Sequence, residues 1–248
     1  MRFLVVLYFF PLFLYSQNEL PYKIGEYSEY TISFRGLKVG SAHLEILEKR
    51  QIDKKDVFHI IGKGRTTLFF DVFFKVRDVY ETYLDISKIR PVKFFRDIYE
   101  GGYKKKQMYI FKHSEEKVFY KDTQQDIYKT TQDMLSSLYF ARTFNKDTLN
   151  KNTSFYIPIF MDEENHFLEI RYLYNEEVLT KFGKINCMVF NPKMQEGRVF
   201  EDGETMKIWI SDDENHLLIK VETKIWAGLI KALMVDYRNL KNPLSISK

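Results

Sequence analysis

Apolar and polar residues alternate with period two along most of this chain, the pattern of strands with one face toward a core and the other toward solvent. In Tyr30-Thr31-Ile32-Ser33-Phe34-Arg35, positions 30, 32 and 34 point one way and Thr31, Ser33 and Arg35 the other. Gly36 and Gly40 bracket Leu37-Lys38-Val39, a turn or bulge ahead of a second strand, Ser41 to Leu47, with Ala42, Leu44 and Ile46 on one face. A polar turn at Asp53 to Asp56 leads to Val57 to Ile61, so this region reads as an antiparallel meander. The same reading predicts strands at Lys75 to Asp85, Val92 to Tyr99, Tyr103 to Lys112 and Lys117 to Lys121. In the second half it predicts Phe155 to Met161, Phe167 to Tyr174, Lys184 to Phe190, Met206 to Ser211, Leu217 to Trp226 and Leu229 to Arg238.

Two segments break the alternation. Between Thr66 and Phe74, the residues Leu68, Phe69, Val72 and Phe73 have helical spacing while the β-branched and aromatic content favours strand; a short helical crossing is the preferred reading. From Asp133 to Phe144 the pattern is helical: Asp133 can cap, and Leu135, Leu138, Tyr139 and Arg142 share a stripe. Ser136, Ser137 and Ala141 are small enough to let that helix lie close to a sheet. The polar stretch Asn145 to Thr153 could divide two subdomains, but one β-rich domain over residues 17–248 is simpler. The expected fold is all-β with one main helix: a large curved antiparallel sheet, or incomplete β-barrel, with the helix packed on its concave face.

Several strands are apolar on both faces, as in Phe94 with Phe95, or Ile157 and Ile159 with Tyr156 and Phe160. Such a sheet needs cover on both sides. Either an ordinary core and the helix supply it, or one face lines an apolar cavity. The cavity reading puts Phe94, Tyr99, Tyr109, Phe155 and Ile157 on the wall, with Leu138 and Tyr139 on a plugging helix. The 22 Phe and 17 Tyr suit such a wall, Tyr being apolar along its body and polar at its tip.

Residues 1–16 are read as a secretory signal peptide. Arg2 gives a positive start, Phe3 to Tyr15 is apolar apart from Pro11, and Ser16 precedes a polar stretch. The run is shorter than the about 20 residues that span a bilayer. Cleavage near Ser16 would place the protein in the periplasm or outside the cell, with no transmembrane segment in the mature chain. Removal of Arg2 lowers the formal charge from +4 by one, a near balance that argues against nucleic acid as a partner. Cys187 is the only cysteine, so no internal disulfide can form and no acceptor for lipid attachment stands near the cleavage point. Its neighbours Ile185 and Val189 share its strand face, the setting of a buried apolar side chain.

Arg77, Asp78 and Glu81 sit on one strand, and Arg142 ends the helical stripe. Charges inside an aromatic sheet should pair. The preferred reading is a structural bolt in which Arg142 meets Asp78 or Glu81; a polar site in a pocket is the alternative. Lys104-Lys105-Lys106 either protects a sheet edge or attracts anionic lipid headgroups. The five histidines are dispersed, and Asp212-Asp213-Glu214 reads as a turn, so no metal or cofactor is implied. No phosphate loop, nucleophile elbow or Cys/His pairing suggests catalysis.

A series of motifs runs across the chain: Ile24-Gly25-Glu26, Gly36-Leu37-Lys38-Val39-Gly40, Phe74 through Glu81, Asp133 through Arg142, Trp209-Ile210-Ser211-Asp212-Asp213 and Gly228. Together they resemble the exported bacterial family catalogued as domain of unknown function 3108. The resemblance implies an incomplete barrel similar to periplasmic lipoprotein carriers, and no established activity. The expectation that follows is an exported protein binding a lipid or other apolar small molecule. The alternative is an envelope scaffold that holds a partner protein through a sheet edge.

Overall fold

The computed structural model describes residues 19–195, 206–225 and 228–247; the leader read over residues 1–16 lies outside them. The first arm holds β1 (Tyr27–Phe34), β2 (Leu37–Ile52), β3 (Lys55–Thr66), the short helix α1 (Leu68–Asp71), β4 (Val76–Asp85), β5 (Arg90–Glu100), β6 (Tyr103–Lys112), β7 (Lys117–Tyr120) and β8 (Thr123–Asp126). Helix α2 (Met134–Ala141) and a 3-10 turn (Lys146–Thr148) then lead into the second arm. That arm holds β9 (Ser154–Met161), β10 (Glu164–Thr180), β11 (Gly183–Gln195), β12 (Met206–Ser211), β13 (Leu218–Ile225), β14 (Gly228–Arg238) and β15 (Ile246–Ser247). Alternation marked the main strands. It missed β8, whose Thr-Gln-Gln-Asp has no apolar period, and the far end of β10, where Glu176 and Glu177 follow the tyrosines.

All strands belong to one antiparallel sheet in the order β8-β7-β6-β5-β4-β3-β2-β1-β14-β13-β12-β11-β10-β9, with β15 added to β11. Pairing of β1 with β14 fuses the two arms, so the loop after α2 does not divide the sheet. Register shifts at Ile46/Glu48, Tyr83/Leu84, Tyr172/Tyr174 and Trp209/Ile210 are bulges, which bend strands and let a wide sheet curl. The curl is deep: α2 touches β4 and β5 of the first arm and β9 at the far end of the second. No ladder joins β8 to β9, so the barrel is incomplete. The seam is bridged instead by Gln132, which pairs in parallel with Ile159, by Asn165 Nδ2 donating to the Asp126 carbonyl at 2.8 Å, and by ion pairs from Arg96 and Lys105 to Asp162.

Among the described residues, three apolar clusters make up the interior. The first lies between β2–β6 and α2 and is aromatic: Phe94 stacks on Tyr109 at 5.8 Å, and Tyr109 meets Phe160 of β9 edge-on at 5.0 Å across the seam. The second gathers Tyr30, Trp209, Ile219 and Met234 with Cys187, which is buried as its strand face required. The third joins β9–β12 to the C-terminal half of α2. On the convex face, the second apolar side of the strands is covered by cations. Lys106 lies 5.3 Å over the ring of Phe95, and Lys75 and Lys104 lie 5.8 and 5.5 Å over Tyr99. Long basic side chains can shield apolar rings while keeping their charge in water. No helix among the described residues is long and apolar enough to cross a membrane.

Candidate functional site

Helix α2 is fixed at both ends before it offers a surface to anything else. Asp133 forms a capping box: its Oδ1 accepts from the N–H groups of Leu135 and Ser136 at 2.8 and 2.7 Å, and Ser136 Oγ accepts from Asp133 N at 2.8 Å. Thr82 of β4 donates to the other carboxylate oxygen at 2.6 Å. Burial pushes the Asp133 carboxyl up to about 6 despite these donors, which favour the ionised form. At the other end, Arg142 makes a two-pronged pair with Glu26 at 2.5 and 2.9 Å and also donates to the Asn215 carbonyl. The pair is buried, with the guanidinium 5.0 Å over the ring of Tyr22. His216 Nδ1 donates to the Arg142 carbonyl at 2.7 Å.

The expected bolt between helix and sheet therefore exists with a different partner. Arg142 does not reach Asp78 or Glu81. Arg77, on the convex side of β4, pairs with Asp71 of α1 at 2.5 Å, and Glu81, on the same side, meets His59 at 2.7 Å. Asp78 faces inward, accepts from Tyr99 N at 3.2 Å and lies near Glu100; burial and that second carboxylate raise it to about 6. The four charges read as one group belong to four separate contacts; Asp78 is parted from Arg77 because adjacent strand residues point to opposite faces.

Beside the C-terminal half of α2 lies an apolar cavity of about 140 Å³. Leu138, Ala141 and Phe144 form its helical side, and Phe155, Met188 and Ile210 of β9, β11 and β12 stand across from them. Its polar lining includes Asn145, Lys146 and His216; Asn145 is exposed and Lys146 pairs with Asp212 at 3.1 Å. A hollow of about 1130 Å³ near the β2–β3 turn is larger but mixed in character, with Lys23, Lys49, Lys54 and Asp56 beside Leu20, Phe58 and Ile89. Concave apolar space with a few placed polar groups is the usual form of a small-molecule site.

Of the seven residues expected on a cavity wall, Leu138 and Phe155 line this one. Phe94, Tyr109 and Tyr139 are concave but packed solid in the aromatic cluster, each at most 2% exposed. Ile157 is fully buried in the third cluster, and Tyr99 points outward between Lys75 and Lys104. The rings of β5 and β6 fill their share of the concave space, while a more open hollow of about 290 Å³, partly polar, lies between β2–β4 and the start of α2; the apolar cavity falls on the second arm's side of the helix. Met188 went unread although the alternation held a signal: Ile185, Cys187 and Val189 make one face of β11, leaving Met188 and Phe190 for the other. Glu26, the partner of Arg142, stood in a quoted motif with nothing local to link it to the helix.

This architecture is a curled, unclosed antiparallel sheet around a tethered helix, with a side cavity of apolar character. The chain belongs to the family described as "Protein of unknown function (DUF3108)", whose pattern it matches over residues 29–235. No curated protein matches the chain in sequence. Among solved structures it is similar to a beta-barrel-like protein of domain of unknown function DUF1849 from Brucella abortus, at a TM-score of 0.56 and 10% identity over 87% of this chain and 98% of that one. A candidate lipoprotein from Parabacteroides distasonis reaches 0.39 at 10% identity, covering 88% and 97%. A candidate exported protein with a YmcC-like fold from Bacteroides fragilis reaches 0.36 at 9%, covering 89% and 98%. Of these three, the Brucella protein is close enough in shape to speak to the architecture, and it supports the incomplete barrel.

Proposed function

We propose that this protein is an exported carrier that holds part of an acyl chain in the cavity between α2 and β9–β12. The observation that carries the reading is the cavity's chemistry: about 140 Å³ with apolar walls from both helix and sheet, and polar groups at Asn145, Lys146 and His216. That volume is near that of an engineered apolar cavity that takes up benzene, roughly 150 Å³. It suits a few methylenes of a fatty acid or lipid tail, with the acidic head toward Lys146. The leader-like start of the chain supports export.

A scaffold that recruits a partner strand is less well supplied. Part of the edge of β9 is taken by Gln132, whose N–H and carbonyl bond to Pro158 O and Phe160 N at 2.8 and 2.9 Å. The other edge, β8, is four polar residues long.

The carrier reading is tested by displacement of a fluorescent fatty acid. The protein should bind the probe and release it to unlabelled palmitate, while Leu138→Trp, which fills the cavity, should lose at least roughly tenfold in affinity, an expected 1.4 kcal/mol or more. Equal binding by the variant would remove the cavity as the site.

A further inference from the structure

Antiparallel pairing puts the ends of β1, β3, β5 and β13 and the starts of β2, β4, β6 and β14 on one rim of the sheet. That rim carries half of the large apolar side chains that the described residues leave exposed. Helix α1 and the residues after it have no buried side chain: Leu68 is 85% exposed, Phe69 70%, Val72 82% and Phe73 73%. Leu37, Phe74, Tyr103 and Leu229 add exposed apolar surface from the neighbouring turns. The protein spends structure to hold this tip out. Asp71 is locked by Arg77 at 2.5 Å and by Thr66 Oγ1 at 2.5 Å, and the ring of Phe74 lies over Gly101, where a Cβ would collide with it. A protruding apolar tip that is braced rather than folded back marks an interaction surface.

The charge around the tip identifies the partner. In sequence, Leu37 is followed by Lys38, Phe74 by Lys75 and Tyr103 by Lys104, while Lys224 precedes Ile225; Arg65 stands one residue before the end of β3, near α1. The acid on α1, Asp71, is neutralised by Arg77. Apolar wedges each flanked by a lysine fit an anionic lipid bilayer, where rings enter the acyl boundary and ammonium groups stay at the phosphates. The opposite rim is mixed in charge, with Lys49, Lys54 and Lys88 beside Glu115, Glu116 and Glu214, and among the described residues it offers one large apolar side chain more than 70% exposed, Leu179, in place of a cluster.

We propose that this rim docks the protein on an anionic lipid surface, with α1 inserted and Lys38, Lys75 and Lys104 on the headgroups. The proposal is independent of the cavity. Its test is co-flotation of the full chain with phosphatidylcholine vesicles containing or lacking phosphatidylglycerol, beside the double variant Phe69→Asp/Phe73→Asp. Any leader is common to both proteins, so its own affinity cancels. The expected result is flotation that rises with phosphatidylglycerol, falls with salt, and drops at least roughly tenfold in the double variant, while that variant keeps its circular dichroism and its fatty-acid binding. Two exposed carboxylates on residues with no core contacts should not unfold the protein. Equal flotation of both proteins, or none of either, would overturn the proposal. So would a dimer of the parent chain, formed without vesicles and abolished in the variant, which would assign the tip to a second copy.

Discussion

The two arms of the sheet meet the same helix and treat it differently. Against the first arm, α2 sets Leu135 and Tyr139 into rings that interlock across the seam, and Phe94 and Tyr109 are each 1% exposed. Against the second arm it sets Leu138 and Ala141, with Phe144 just past its end, opposite Ile170, Met188 and Ile210, and about 140 Å³ is left over. Close-packed interiors keep few voids larger than a water molecule. The first arm keeps a hollow too, about 290 Å³ between β2–β4 and the start of α2, but Asp78 and Lys63 share its lining, whereas the second arm's void is apolar. That apolar void lies beside a helix pinned at both ends, which cannot slide in to close it without breaking the Asp133 cap or the Arg142–Glu26 pair.

The largest expected effect comes from releasing that pin. Arg142→Ala leaves Glu26 buried without its partner, and loss of one member of a buried pair costs about 3–5 kcal/mol. Denaturant unfolding should show this loss together with loss of fatty-acid binding; a change under about 1 kcal/mol would mean that the pair behaves as a surface one. Next in size is the contrast between the arms. Phe94→Ala should cost about 3–5 kcal/mol, as for an aromatic deleted from a full core, and Leu138→Ala about 2, since one flank of Leu138 already meets open space. Equal costs would erase the distinction between a packed and a hollow arm.

The smallest effect is electrostatic and lies in the first arm. Asp78, raised from 3.8 to about 6 by burial and Glu100, holds its proton in the folded state to higher pH than in the unfolded chain. Its stabilising contribution is thus complete below its ordinary value and is lost as pH rises through about 6. The melting temperature should fall across that window, and Asp78→Asn should flatten the fall. A parallel profile would assign the slope to another group, Asp133 first, because its shift has the same sign.

What was legible in the sequence was local. The period-two pattern marked the main strands because side-chain direction alternates with the backbone, and Asp133 was readable as a cap because its partners are two and three residues away. The partner of Arg142 was not, since Glu26 lies 116 residues away and only the closed sheet brings it near. Phe95 shows the other limit. Its apolar face suggested a cavity, but what covers it is Lys106 from the next strand, and alternation carries no information about what lies above a face. The hollow arm was hidden for the same reason: Met188 and Ile210 have ordinary core patterns, and the void depends on how near α2 is allowed to come.

The most direct test of the account is native mass spectrometry of the protein recovered from a bacterial periplasm, followed by solvent extraction and lipid analysis. The account predicts a reproducible added mass that extracts as a fatty acid or lipid from the parent protein and is absent from Leu138→Trp. A bare protein mass in both, with palmitate failing to add to either, would contradict it and leave the cavity an unoccupied packing defect.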